Sequence, residues 1–421
     1  MSTAHDCAHH HFRRYTRRQL GWLFREAGYR IQLHSFFNSL LFPAIAGARL
    51  IGKLRGAQSA DDALPSPPIN AALEKVFGLE AGLIGRARCR SESAWSPSSA
   101  ADRALAIADA QLHRCAMAQS MHDVSDPRNA SILINVNGEL KPRAQAVVSV
   151  FDSGFMLGDG VWEGLRVYDR KLLFLDRHLD RLFEGAKALT MDVGLTGAEL
   201  TTRLYDTLDA NGMSDGVHVR LMVTRGVRST PYQDPRVVVT PATIVIIAEY
   251  KKPDPAVYER GLKLFTVHVR RGDPAVQDQK INSHSKLNCI LASIQATHAG
   301  ADEALMLDPH GFVATCNSTH FFIVRKGELW TSSGKYCLGG ITRSVVLEIA
   351  REAGIPTVEK DFSLTDVYGA DEAFVTGTFA GIVPIREVDG RKLDLGRPMT
   401  KRLRQLYAEQ VEREVAEQRR P

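Results

Sequence analysis

From Ile132 to the end of the chain, short runs rich in β-branched residues alternate with segments of helical spacing, and this alternation limits the possible folds most. The runs "GVHVRLMVTRG" and "TIVIIAEYKKPDP" are typical of strands. In "ILINVNGELKPR", Asn137 and Gly138 separate two extended halves and predict a two-residue hairpin turn. Helical spacing recurs at 176–190 and 197–210, and in "LNCILASIQATHAG" and "TRSVVLEIAREAG". The sequence therefore predicts a mixed α/β fold.

A polar connector with two prolines, "KKPDPAVYERG" at 251–261, divides this region. We expect one α/β domain over residues 126–255 and a second over 256–421. Residues 1–125 have a different residue pattern. The stretch "INAALEKVFGLEAGLIGRA" has helical spacing, and the serine-rich "RSESAWSPSSAAD" is typical of a linker. This first segment is predicted to be mainly helical.

Composition argues against several classes of partner. The chain has 53 Lys and Arg against 48 Asp and Glu, a net charge of +5, and lacks the dense basic block that nucleic acid would need. Its six cysteines form no CxxC pair, which favours reduced thiols over a metal site. The start has no apolar signal core, and the most apolar stretch, at 35–54, is interrupted by Asn38, Pro43 and Arg49. We expect a cytoplasmic protein that binds no nucleic acid, metal or membrane.

Three segments carry groups suited to binding a phosphate. In "FLDRHLDRLFEGAKAL", His178 and Arg181 flank the apolar stripe of a predicted helix, and a guanidinium can bind phosphate oxygens in a forked geometry. A salt-bridged surface helix is the alternative for this segment. In "LGGITRSVVLEIAREAG", two glycines precede a helix that opens at about Ile341 and Thr342, where free N–H groups would face an anion. In "FVTGTFAGIVPI", Thr376 and Thr378 flank a glycine in a predicted strand-turn-strand; the alternative is that these hydroxyls only satisfy backbone groups at the turn.

These segments, in this order, resemble the class IV aminotransferases over about residues 131–400. The resemblance rests on "GDGVWEGLRVYDRKLLFLDRHLDRL", "GADEALMLDPHGFV", "GGITR" and "DEAFVTGTFAGIVPIREVDG". It implies fold type IV of the pyridoxal-phosphate enzymes, with two α/β domains and pyridoxal 5'-phosphate in the cleft between them. It also implies a homodimer that acts on a small amino acid and a 2-oxo acid.

The same resemblance directs attention to the lysines of "DQKINSHSKLNCIL". Family members place the lysine that forms the Schiff base just before a Leu-Asn or Gly-Asn pair, and Lys286 precedes Leu287 and Asn288. A lysine in a partly apolar setting loses its proton more easily, as imine formation requires. The spacing leaves Lys280 as the alternative, and Lys286 is preferred.

Further roles follow from the resemblance, position by position. Arg181 resembles the arginine that binds the cofactor phosphate, Ile341 and Thr342 the helix start that donates N–H groups to it, and Thr378 the hydroxyl that completes the phosphate site. Glu163 in "VWEG" resembles the acid that lines the cleft.

Two further assignments concern the substrate and the cofactor ring. Arg225 and Arg228 in "TRGVRSTPY" are candidates for the substrate carboxylate, while Thr230 takes the place of the arginine of the D-specific enzymes. In "VATCNSTHFFIV", Thr315 stands where family members have the glutamate that pairs with the pyridine nitrogen. A hydroxyl there would hold less positive charge on the ring and weaken it as an electron sink.

The resulting prediction is a pyridoxal-phosphate-dependent aminotransferase for small or branched-chain amino acids. A lyase of the aminodeoxychorismate type is one alternative, and a cofactor-binding or regulatory protein without turnover is another. Residues 8–85 separately resemble the C-terminal part of class I S-adenosylmethionine-dependent methyltransferases, without the glycine-rich turn that would bind the methyl donor.

Overall fold

The structure, a computed structural model, describes residues 126–396 and 398–418. The predicted helical segment and linker at 1–125, with their methyltransferase resemblance, lie outside the described residues. Within the described ranges, no helix is long and apolar enough to cross a membrane. In the same part of the chain, no group of three or more His, Cys, Asp or Glu side chains is arranged to hold a metal ion.

The first half of the described chain forms an antiparallel six-stranded sheet in the order β2-β1-β6-β5-β3-β4. Its strands are β1 (Leu133–Val136), β2 (Glu139–Pro142), β3 (Gly160–Tyr168), β4 (Lys171–Leu172), β5 (Val217–Thr224) and β6 (Thr243–Tyr250). The predicted turn between β1 and β2 is confirmed, since Asn137 and Gly138 both have positive φ, at 54° and 94°.

This half also contains three helices, of which the second and third pack against the sheet. They are α1 (Ser153–Leu157), α2 (Leu175–Ala188) and α3 (Gly197–Ala210), and short 3₁₀ turns lie at Pro127–Ala130, Arg143–Gln145 and Pro235–Val237. The predicted apolar stripe of α2 is buried in one core with the inward residues of β3 and β5. A capping box between Thr196 and Glu199 fixes the start of α3.

The second half forms a mixed sheet of nine strands in the order β12-β11-β10-β13-β14-β7-β8-β9, with β15 paired to β14. These strands are β7 (Leu262–Thr266), β8 (Glu303–Leu307), β9 (Val313–Cys316), β10 (His320–Arg325), β11 (Glu328–Thr331), β12 (Thr357–Glu359), β13 (Glu372–Gly377), β14 (Gly381–Val388) and β15 (Arg391–Lys392). The predicted strand-turn-strand is confirmed as β13 and β14, which pair antiparallel.

The helices of this half are α4 (Ala256–Arg260), α5 (Leu287–His298), α6 (Ile341–Glu352), α7 (Leu364–Tyr368) and α8 (Pro398–Glu417). Helices α6 and α8 share a buried core with β10 and β13, in which the rings of Phe322 and Phe374 stack 5.0 Å apart. Helix α5 buries its alanines Ala292 and Ala296 with β8. The connector at 251–261 contains α4 and lies between the last strand of one sheet and the first of the other.

Successive side chains of β5 point to opposite faces of the first sheet, and one of these faces borders the space between the two sheets. Val217, Val219 and Leu221 are fully buried, whereas His218 and Arg220 on the opposite face are only partly buried. Across the strand pair, Arg220 is opposite Gly164 of β3 and His218 is opposite Arg166. One face of the first sheet therefore carries several basic side chains.

Candidate active site

A cavity of about 360 Å³ lies between the two sheets. On one side it is lined by Trp162, Gly164 and Arg220 of the first sheet. On the other side it is lined by the residues at the start of β10, the turn between β13 and β14, and the start of α6. Its volume is in the range of pockets that bind small molecules and cofactors.

Arg181 lines this cavity and is held by a buried acid. Its Nε and Nη2 donate to the two carboxylate oxygens of Glu163 at 2.8 and 2.6 Å, and its Nη1 donates to the Gly339 carbonyl at 2.7 Å. The ring nitrogen Nδ1 of His178 lies 2.6 Å from the same carboxylate. The three side chains form one network that fixes the guanidinium at the cavity wall.

The protonation of this network follows from its burial and its hydrogen bonds. Burial alone would raise the pKa of Glu163, but hydrogen bonds from His178 and Arg181 outweigh it and the pKa is lowered. Burial lowers the pKa of His178, so this histidine is neutral and donates its Nδ1 proton to the ionised carboxylate. Glu163, predicted to line the cleft, is 0% exposed and is not among the residues that line this cavity. Its carboxylate holds the guanidinium of Arg181 by two hydrogen bonds.

The start of α6 presents free backbone donors to the cavity. Gly340 is the N-cap residue and makes no side-chain capping bond, so the first N–H groups of the helix are not occupied by a cap. Ile341 and Thr342 line the cavity, as does Thr378 in the turn after β13. A Cβ atom at Gly340 would lie 2.2 Å from Nε2 of His320, so only glycine lets the backbone approach this ring.

Lys286 stands at the edge of this cavity. Its Nζ donates to Oδ1 of Asn282 at 3.1 Å and lies 5.3 Å from the centroid of the Trp162 ring, and both of these neighbours line the cavity. Burial lowers the pKa of Lys286 to about 8. Lys280, the alternative, is an exposed side chain in the loop that precedes Asn282.

Two assigned substrate ligands have other partners. Arg225 is bonded to Asp159 and to the carbonyls of Thr190 and Leu189. Arg228 is bonded to Asp159 as well, to Ser153 and to two loop carbonyls, and it is 2% exposed. Neither guanidinium lines the cavity; each instead donates four hydrogen bonds to groups of the surrounding loops.

Thr315 is also absent from the cavity lining. Its hydroxyl donates to the Thr319 carbonyl at 2.9 Å, inside the turn between β9 and β10. The cavity is instead lined at this turn by Ser318, Thr319 and His320. This placement disagrees with a position of Thr315 at the ring nitrogen, because the turn, and not the strand before it, reaches the cavity.

Several lining residues were missed by the sequence reasoning. They are Trp162, His218, Arg220, Lys251, Asn282 and His320. The guanidinium carbon of Arg220 lies 3.7 Å from the centroid of the Trp162 ring, and Lys251 Nζ lies 5.2 Å from that of Phe379. Polar residues on the partly buried face of β5 were the available signal for His218 and Arg220. Burial, with nearby arginines, lowers the pKa of His320 to about 3, so its ring is neutral.

The residues present fit an aldehyde cofactor that carries a phosphate. Arg181, the uncapped start of α6 and Thr378 line the same cavity, as an anionic group requires. The buried hydroxyl of Thr376, also in the lining, has no hydrogen-bond partner in the described part of the protein. An amine with a lowered pKa lies beside the same cavity.

Comparison with known proteins agrees with this chemistry. The family model described as "Amino-transferase class IV" matches residues 160–388. Branched-chain-amino-acid aminotransferase-like protein 2 of Arabidopsis thaliana is 41% identical over 285 residues, which cover 67% of this chain and 50% of that protein. This chain thus spans about half the length of that relative.

Other proteins are matched over most of their length. The putative branched-chain-amino-acid aminotransferase of Methanocaldococcus jannaschii is 44% identical over 262 residues, 62% of this chain and 89% of that protein. Among solved structures, the branched-chain aminotransferase of the thermophilic archaeon Thermoproteus uzoniensis with norvaline superposes with a TM-score of 0.62 at 32% identity. That match covers 68% of this chain and 96% of the other.

Proposed function

Because the chain belongs to the class IV aminotransferase family, whose members use pyridoxal 5'-phosphate, we propose that it moves amino groups between a small or branched-chain amino acid and a 2-oxo acid. The two-sheet fold is that of the fold type IV enzymes. The observation that carries the proposal is a low-pKa lysine in contact with Asn282 and Trp162 of a cavity that an arginine and an uncapped helix start also line.

The residues around the cavity have different proposed roles. When bound, the cofactor supplies an aldehyde that condenses with amines and a ring that accepts electrons from the substrate Cα. Arg181, the N–H groups of Ile341 and Thr342, and the Thr378 hydroxyl would hold the phosphate. Glu163 and His178 keep the guanidinium of Arg181 in place.

Lys286 attaches the cofactor and moves the proton. With a pKa of about 8, a useful fraction of its amine is free near neutral pH, whereas an ordinary lysine would be almost wholly protonated. The free amine can attack an aldehyde and can later accept a proton from the substrate. Arg220 packs against the Trp162 ring in the cavity wall, where its guanidinium can bind a substrate carboxylate.

A first prediction tests this assignment. Borohydride reduction of the cofactor-loaded protein followed by peptide mapping should place the pyridoxyl group on Lys286. Lys286→Ala should lose cofactor attachment and reduce amino transfer by at least about a thousandfold, since proton transfer and covalent catalysis are lost together. Lys280→Ala is the matched control and should retain both.

Product analysis with a branched-chain amino donor and 2-oxoglutarate completes the test. Formation of glutamate and the matching 2-oxo acid supports amino transfer. Release of pyruvate from an aminodeoxychorismate substrate without an acceptor would assign the lyase reaction instead. A pyridoxyl group on Lys280, or on no lysine, would contradict the proposed site.

We also propose that the protein is a homodimer. Large apolar side chains are exposed along the segment from β2 through α1 and on the first turns of α5. We call this the apolar surface; its members are Val147, Val148, Val150, Phe151, Phe155, Leu157, Leu287, Ile290, Leu291 and Ile294. Its two parts are neighbours, because a Cβ atom at Gly158 would lie 3.2 Å from the backbone of Ser285. Exposed apolar area of this kind favours an interface with another protein, and a second copy is the partner proposed.

The remaining assignments are proposals at the level of the chain. We place the domain boundary near residue 255, with residues 1–125 as a separate segment related to a methyltransferase C-terminal part. A cytoplasmic location is proposed from the cysteines, of which Cys289, Cys316 and Cys337 are free thiols in the described residues.

A further inference from the structure

Asn282, in the loop before α5, is buried and hydrogen-bonded to β3. It is 4% exposed, its carbonyl accepts from the Trp162 backbone N–H at 3.0 Å, and its Nδ2 donates to the Trp162 carbonyl at 2.6 Å. The same Nδ2 lies 3.5 Å from Oε1 of Glu163. A carbonyl and a carboxylate can only accept, so the amide nitrogen must face them and the amide oxygen must face Lys286.

That amide oxygen is the polar partner of the Lys286 amine. Lys286 is the N-cap residue of α5, and its side chain runs back four residues to place Nζ 3.1 Å from Oδ1 of Asn282. The Trp162 ring bounds Nζ on another side, with its centroid at 5.3 Å. One N–H of the amine thus donates to Asn282, and the other bonding directions of the nitrogen point away from that hydrogen bond.

We propose that Asn282 is a positioning residue that directs the Lys286 amine toward the cavity. The inference rests on the proposed role of Lys286 as the residue that attaches the cofactor. Asn282 would act through Lys286 and not on the substrate.

The charges around the amine explain why a neutral amide suits this position. The charged or titratable groups that act on Lys286 are Cys289, Arg271, Arg220, Arg181 and His284. No carboxylate in the described residues forms an ion pair with Lys286. The nearest acid on the Asn282 side, Glu163, is bonded to Arg181 and His178. Asn282 therefore accepts from the amine without adding the negative charge that would hold it as ammonium.

The test measures the ionisation of Lys286 in the cofactor-free full chain. Acetic anhydride labelling at a series of pH values, quantified for each lysine by mass spectrometry, gives a midpoint for Lys286, and exposed Lys280 serves as the internal standard. Asn282→Asp should move the Lys286 midpoint upward by about one pH unit or more, a tenfold change in the fraction of free amine, because a carboxylate favours the ammonium. Asn282→Leu, which keeps a branched side chain without polar atoms, should move it downward, because an acceptor that favours the ammonium is removed.

The opposite signs separate positioning from a structural role. Local unfolding would expose Lys286 and move its midpoint upward in both variants, so an upward shift in Asn282→Leu, or no shift in either variant, would overturn the inference. Asn282→Ala takes the place of the leucine variant if that protein does not fold. Gln279→Ala is the matched control, since Gln279 lies in the same loop and donates to the Gln277 carbonyl, away from the groups that act on the amine; the Lys286 midpoint should not move in this variant.

A second readout distinguishes failure of this inference from failure of the proposed function. Loading the same variants with pyridoxal 5'-phosphate and mapping the borohydride-reduced product locates the attachment site. If the midpoints shift as expected but the pyridoxyl group is not on Lys286, the proposed attachment fails while Asn282 still orients the amine. If the group is on Lys286 and the midpoints do not respond, only the role of Asn282 is lost.

Discussion

At the scale of single residues, the hydroxyls of Thr376 and Thr315 differ in whether they have a partner. Thr376 is fully buried in the cavity wall, and its Oγ1 finds no hydrogen-bond partner among the described residues. Thr315 is almost as buried, but its Oγ1 donates to the Thr319 carbonyl at 2.9 Å. An unsatisfied hydroxyl in the wall of a cavity can gain a partner when a ligand binds, whereas a satisfied one contributes to the fold.

Thr376→Val should therefore weaken cofactor binding without destabilising the cofactor-free protein. Loss of one hydrogen bond to the ligand should lower affinity by about 5- to 10-fold, while removal of an unpaired buried hydroxyl should leave the free energy of unfolding unchanged or raise it. Absorbance titration with pyridoxal 5'-phosphate and denaturant unfolding of the cofactor-free protein measure the two effects.

Thr315→Val is the control and should show the reverse pattern. It removes a satisfied hydrogen bond and should cost about 1 kcal/mol in the free energy of unfolding, with little change in cofactor affinity. A larger loss of cofactor affinity in Thr315→Val than in Thr376→Val would indicate that Thr315 lies at the cofactor ring.

At the scale of elements, the start of α6 depends on two glycines that are not equivalent. A Cβ atom at Gly340 would lie 2.2 Å from the His320 ring, whereas one at Gly339 would meet nothing within 4 Å. The His320 ring is itself confined, since His320 pairs with Thr376 in the sheet and is 9% exposed. A side chain at Gly340 therefore forces the loop or the ring to move.

Gly340→Ala should displace the N–H groups of α6 from the phosphate position and lower cofactor affinity by at least about tenfold. The clash should also cost about 1–3 kcal/mol in the free energy of unfolding, as overpacking does. Gly339→Ala should leave both quantities near those of the unmodified protein. Equal losses in the two variants would mean that the glycine pair acts through chain flexibility and not through its approach to His320.

At the scale of the whole molecule, the apolar surface makes a prediction about assembly. Phe155 is 71% exposed in α1, and a carboxylate there would be desolvated in an interface without a partner. Phe155→Asp should convert a dimer into a monomer, measured by sedimentation velocity.

Tyr168→Asp is a suitable control. Tyr168 is 44% exposed at the far end of β3, about 30 Å along the strand from the end next to α1. This variant should remain dimeric. An unmodified protein that sediments as a monomer would refute the proposed assembly, and a Phe155→Asp variant that stays dimeric would place the interface elsewhere.

Local pattern alone was enough to predict much of this molecule. The period of two in β5 and the apolar stripe of α2 depend on neighbours along the chain, and both elements are found where they were predicted. Ile341 and Thr342 line the cavity because a helix start after paired glycines exposes its N–H groups wherever it lies. These features needed no knowledge of distant residues.

The partner of each charged group was decided only by the tertiary structure. Arg225 and Arg228 lie close to Asp159 because β3 and β5 pair, and Lys286 contacts Asn282 because the loop before α5 is bonded to β3. A guanidinium or an amine in a sequence can serve a substrate or the fold equally well. Which of the two it serves depends on the acceptors that long-range packing brings within about 3 Å, and sequence spacing does not encode those distances.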